Sequence, residues 1–151
     1  MGLFDFFKKP DKYIDEYFGP LHFVGSRDAS QDYFEGKTFF NPGHNEVTII
    51  VKAGKNGPTS EQHQFYKQFQ ENYDHYVAKI QPLIIDEFRN WRDDFEISDF
   101  LKEFKLVFLV IPNMRDTPLV WEMAFTTIHD LDHHVTINFL DDQPNGILID
   151  G

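Results

Sequence analysis

Cysteine is absent from this chain. That excludes disulfides, zinc–thiolate centres and cysteine nucleophiles, and it fits a reducing compartment. No apolar run approaches the roughly 18 residues a spanning helix requires. No serine occupies a GxSxG elbow, and Gly54-Lys55-Asn56-Gly57 lacks the spacing of a phosphate-binding loop and runs into Pro58. Basic residues are scarce in the second half of the chain. Residues 81–151 carry 14 Asp/Glu against 5 Lys/Arg, whereas residues 1–80 carry 11 against 9, so most of the net charge of −11 lies after position 80. Such a surface repels phosphate backbones and attracts cationic partners.

What is present in quantity is aromatic side chain: 17 Phe, 6 Tyr and 2 Trp. Each can bury roughly 150–250 Å², so 151 residues suffice for one domain with a sizeable core and no cofactor. At the N-terminus the cations Lys8 and Lys9 follow an apolar run, the reverse of a secretory signal, and Phe6 stands where myristoylation wants Ser or Thr. Residues 1–18 read as a helical segment docked on the core. A short amphipathic membrane anchor on Leu3, Phe4, Phe6 and Phe7 is the alternative. A cytoplasmic protein without membrane attachment is expected.

The pattern predicts strands at Leu21–Val24, Tyr33–Phe40 and Glu46–Lys52, within a first strand block over 21–53. A helical block over 59–104 follows. Phe65, Phe69, Tyr73, Tyr76, Ile80, Leu83 or Ile84, Phe88 and Trp91 recur every three or four residues and make one apolar helical face. Thr59 or Ser60 caps its start, with Glu61 and Gln62 in the first turn. Pro82 predicts a kink or break. A short helix over Ile97–Phe104, with Ser98 as its cap, completes the block.

A second strand block spans 105–150. Leu106–Ile111 is apolar throughout, as a central strand buried on both faces would be. Strands at Leu119–Ile128 and around Val135, Ile137 and Phe139 flank a hairpin loop at His129–His134, and a turn at Asp141–Gly146 leads to a last strand at Ile147–Ile149. This order predicts an α+β fold: a largely antiparallel sheet in two strand blocks, separated by a long helix and a short helix packed on one face. One joined sheet and two packed sheets both satisfy the pattern.

Few residues suggest chemistry. His129-Asp130-Leu131-Asp132-His133-His134 is the densest set of metal-ligand types, with His129, Asp132 and His133 as the candidates. A solvated polar loop explains the same residues, and no metal or cofactor is expected. Asp141, Asp142, Asn145 and Gly146 lack the remaining ligands of a calcium loop. Glu35 and Glu122 are a conceivable acid–base pair, although alternation with Trp121 and Met123 turns Glu122 away from the core. Tyr66, Lys67, Tyr76 and Lys79 are the only interleaving of aromatics with cations, and the net charge opposes nucleic-acid binding.

The acidic set Asp86, Glu87, Asp93, Asp94, Glu96, Asp99 and Glu103 surrounds Trp91, Phe95 and Phe100. An aromatic anchor ringed by carboxylates has the composition of a recognition surface for a basic protein. A solvated helical face is the plain alternative. The layout also resembles small uncharacterised bacterial domains found among the immunity proteins of polymorphic toxin systems. The resembling segments are Tyr33-Phe34-Glu35-Gly36-Lys37, Gly57-Pro58-Thr59, Trp121-Glu122 and Gly146-Ile147-Leu148-Ile149-Asp150-Gly151. The resemblance implies a non-enzymatic cytoplasmic protein that neutralises a cognate toxin by binding it, and it supplies no site residues. The competing expectations are a metal-dependent hydrolase using the His129–His134 loop with distant carboxylates, and a structural or regulatory subunit that oligomerises through edge strands.

Overall fold

The computed structural model describes residues 12–150. Its strands are β1 (Lys12–Asp15), β2 (Gly19–Val24), β3 (Tyr33–Phe40), β4 (Asn45–Val51), β5 (Phe104–Ile111), β6 (Val120–Thr127), β7 (Asp130–Leu140) and β8 (Gln143–Asp150). All eight form one sheet in sequence order. Every neighbouring pair is antiparallel except β4 and β5. A parallel pair needs a long crossover, and the helices α1 (Ser60–Glu71), α2 (Tyr73–Phe88) and α3 (Phe100–Glu103) lie within it. The fold is α+β with a largely antiparallel sheet.

Gln62 ties the crossover down. It closes a capping box with Thr59, and its Nε2 also donates to the carbonyls of Lys52 and Pro112 at 2.8 and 2.9 Å. One buried amide thus fixes the start of α1 to the ends of both parallel strands. Thr59, not Ser60, is the cap.

The helices cover the face lined by Phe40, Trp121 and Phe139. Trp121 stacks on Phe139 with centroids 4.3 Å apart and receives Phe65, Phe69 and Tyr76 edge-on. The predicted helical stripe is mostly core: Phe69, Tyr73, Ile80, Ile84 and Phe88 are buried, together with Tyr66 and Val77. Trp91 is not, remaining 53% exposed.

Several expected boundaries move. The helical block breaks at Asn72 (φ −108°, ψ 22°), and α2 runs unbroken through Pro82. Pro82 and Ala78 are both exposed, so water can serve the Ala78 carbonyl that loses its donor. Asp99, not Ser98, caps α3, which is only four residues long. Lys12–Asp15 pairs with β2 as a strand and residues 16–18 form the turn between them, where a helical segment is expected; the part of that expectation before Lys12 and the anchor at Leu3–Phe7 lie outside the described residues. β5 carries a bulge between Leu106 and Phe108, which shifts its inward alternation and turns Phe108 and Val110 to the face opposite the helices.

Candidate functional site

The acidic segment begins where α2 ends. Phe88 stacks on Phe95 at 4.5 Å with planes 15° apart, which folds the chain back on itself. Arg89 Nε donates to the Phe95 carbonyl and Arg92 to the His129 carbonyl, both at 3.1 Å. The loop is therefore pinned by the buried Phe88–Phe95 stack and by two arginine side chains bonded to backbone carbonyls. Between the pins Trp91, Asp93, Asp94 and Glu96 are exposed. Among the described residues, Asp86, Glu87, Asp93, Asp94 and Glu96 take part in no ion pair.

The rest of the expected patch is structural. Phe95 and Phe100 are core residues at 4% and 6% exposure, stacked on Phe88 and Phe104 respectively. Asp99 accepts from the Lys102 amide as a helix cap and pairs with Lys102 Nζ at 3.7 Å. Glu103 Oε2 accepts from the amides of Ser98 and Asp99, while Oε1 accepts from His129 Nε2 at 2.7 Å. Burial acts to raise the Glu103 pKa, but the Asp99, His129 and Ser98 hydrogen bonds outweigh it and hold the carboxyl below its usual range. Of the expected patch, Trp91 and the carboxylates of Asp86, Asp93, Asp94 and Glu96 stay exposed.

The His129–His134 segment is not a loop. Asp130 pairs with Thr127, leaving only Ile128 and His129 in the turn, and Asp130–His134 belongs to β7. Strand geometry sends successive side chains to opposite faces, which disperses the ligand types. His129 packs against Phe95 at 4.8 Å and is committed to Glu103. His133 Nδ1 pairs with Asp130 at 2.9 Å, a bond that raises the His133 pKa and lowers that of Asp130. His134 lines a hollow on the face opposite the helices. Among the described residues, no group of three or more His, Asp or Glu side chains is placed to hold a metal.

Asp141 and Asp142 form the two-residue β7–β8 turn. Asp141 has φ 52° and its carboxylate accepts from the Leu119 amide at 2.9 Å. Asp142 accepts from Lys79 Nζ and lies 3.5 Å from His75 Nε2, and the Lys79 hydrogen bond leads in lowering its pKa. Both carboxylates are engaged by the fold. Glu35 and Glu122 share one cross-strand row with Ile50 and Val110 between them. Three strand spacings make about 14 Å, beyond the roughly 5–9.5 Å over which two carboxylates act on one glycosidic bond. Tyr66 is 1% exposed and cannot offer a stacking face.

Sequence reasoning missed a cleft of about 660 Å³ on the open sheet face. Ile50 and Val110 lie in its lining, Lys52 and Glu122 supply charge, and the β2–β3 and β5–β6 connections rise beside it. Apolar residues on both parities of Leu106–Ile111 were its only sequence signal, and a strand buried on two sides gives the same pattern.

A family model described as a domain of unknown function, DUF6985, matches residues 17–141. The chain belongs to the DUF6985 family. The match takes in β2 to β7, the helices and the acidic segment, and it leaves β1 and β8 outside. No curated protein and no solved structure matches the DUF6985 chain. No helix among the described residues is long and apolar enough to cross a membrane.

Proposed function

We propose that this chain is a non-enzymatic protein-binding module that takes a basic partner on the surface around Trp91. The observation that carries the reading is a large aromatic, 53% exposed, at the end of α2, beside the exposed carboxylates of Asp93, Asp94 and Glu96. Trp is prominent among residues that dominate binding energy. The loop that presents it is anchored by Phe95, Arg89 and Arg92, so little conformational entropy is lost when a partner docks. Carboxylates without partners steer cations during encounter. The most concrete form of this function is a bacterial, cytoplasmic immunity protein that neutralises a basic toxin such as a nuclease.

The test begins with a partner recovered by co-purification or from the neighbouring gene. Replacing Asp93 and Asp94 by Asn and Glu96 by Gln is expected to slow association, while Trp91→Ala speeds dissociation. Association of the parent protein is also expected to slow with salt, as the Debye length falls from about 10 Å at 0.1 M to 3 Å at 1 M. Association kinetics and salt response unchanged in the triple variant would reduce the patch to a solvated surface.

A further inference from the structure

Strand β8 ends the sheet. Among the described residues, no strand pairs with its outer side, and no backbone hydrogen bond outside the sheet involves Gln143–Asp150. An edge strand directs alternate N–H and C=O groups away from the sheet, so Asn145–Asp150 turns about three of each outward. Soluble proteins blunt such edges with Lys, Pro, bulges or brevity. Here Pro144 and the bulge opposite Phe139 both sit at the hairpin end. From Gly146 to Asp150 the ladder with β7 is regular, it contains no Lys, and Leu148 is 53% exposed.

The charge around this edge selects its occupant. Among the described residues, Asp150 on β8 and Asp132 on β7 are exposed and take part in no ion pair, whereas Asp130 is paired with His133 and Asp142, at the hairpin end, with Lys79. A second copy would bring the same carboxylates to the same edge, whereas a cationic strand would neutralise them. We propose that β8 receives an extended cationic segment of the partner as a ninth strand, with backbone hydrogen bonds giving affinity and basic side chains giving selectivity. The inference rests on the basic-partner reading and adds how that partner is gripped.

The probe is a capped peptide of about ten residues alternating lysine and valine, titrated against the full chain. Two controls accompany it: the same peptide with alternate residues N-methylated, and one with glutamate replacing lysine. Amide hydrogen exchange is expected to slow at Asn145–Asp150 with the lysine peptide, and each control is expected to bind weaker by about tenfold or more. Leu148→Lys, at an exposed position, is expected to weaken the lysine peptide without unfolding the domain. Equal binding of the N-methylated peptide, no binding at all, or protection at these amides from self-association without peptide would each overturn the proposal. The natural partner separates the two readings. A partner sensitive to Trp91→Ala but indifferent to Leu148→Lys removes the β8 inference alone. A lysine peptide that pairs with β8, beside a partner indifferent to the Trp91 surface, removes the other alone.

Discussion

His129 Nε2 lies 2.7 Å from Glu103 Oε1, and the same carboxylate holds the amides of Ser98 and Asp99 through Oε2. One side chain thereby joins the start of α3 to the β6–β7 turn. The contact also assigns two residues whose types alone suggested other work, a metal ligand and a partner-binding carboxylate. Their side chains are 19% and 11% exposed, which favours the interaction over competition from water.

Breaking that pair is expected to destabilise the domain. His129→Ala and Glu103→Gln should each cost about 1–3 kcal/mol, and the double variant less than their sum. Urea unfolding of the four proteins measures this coupling. Additive losses would show that the two side chains act independently. Elemental analysis of the same parent protein is expected to find no stoichiometric zinc or nickel.

Acid should weaken the fold in a defined direction. The folded-state pKa values of Glu103 and Asp142 are both lowered. The stability they contribute is therefore fully present above the unfolded carboxylate values of about 4, and it is lost as pH falls through the lower folded values. Urea midpoints are expected to decline below about pH 5, and Glu103→Gln should flatten that decline. An identical pH slope in the variant would remove Glu103 from the account.

Pro82 occupies an exposed position inside α2. Pro82→Ala restores a donor for the Ala78 carbonyl and should stabilise the protein by about 1–3 kcal/mol, less than or equal to the full propensity difference. Native-state hydrogen exchange should show a protected amide at the new alanine. Destabilisation would mean that the helix relies on a bend at this point.

Two aromatics separated by four positions should behave oppositely. Phe95→Ala removes a 4%-exposed core residue and is expected to cost about 3–5 kcal/mol. Trp91→Ala removes a side chain that is 53% exposed and lies tilted against Phe88 with ring centroids 5.5 Å apart, and should cost about 1 kcal/mol or less. Thermal melts of the pair decide it. A large loss from Trp91→Ala would make Trp91 a packing residue and remove the anchor.

The sequence by itself determined the α+β class, the aromatic core and the helical stripe. Each depends on a short-range rule, alternation in strands or a three-to-four-residue step in helices, and Phe69, Ile80 and Trp121 obey it. It also determined the charge asymmetry, since charge is additive along the chain. Only the tertiary structure decided which carboxylates are spoken for: Glu103 and Asp142 are consumed by His129 and Lys79, which lie 26 and 63 positions away. It decided that Phe95 goes inward while Trp91 stays out, because the stack on Phe88 depends on the reversal after α2. It also decided that β4 and β5 join all the strands into one sheet and leave β8 at its edge. Strand neighbours and edges arise from pairing between segments far apart in the chain, and local periodicity carries no record of which segments will meet.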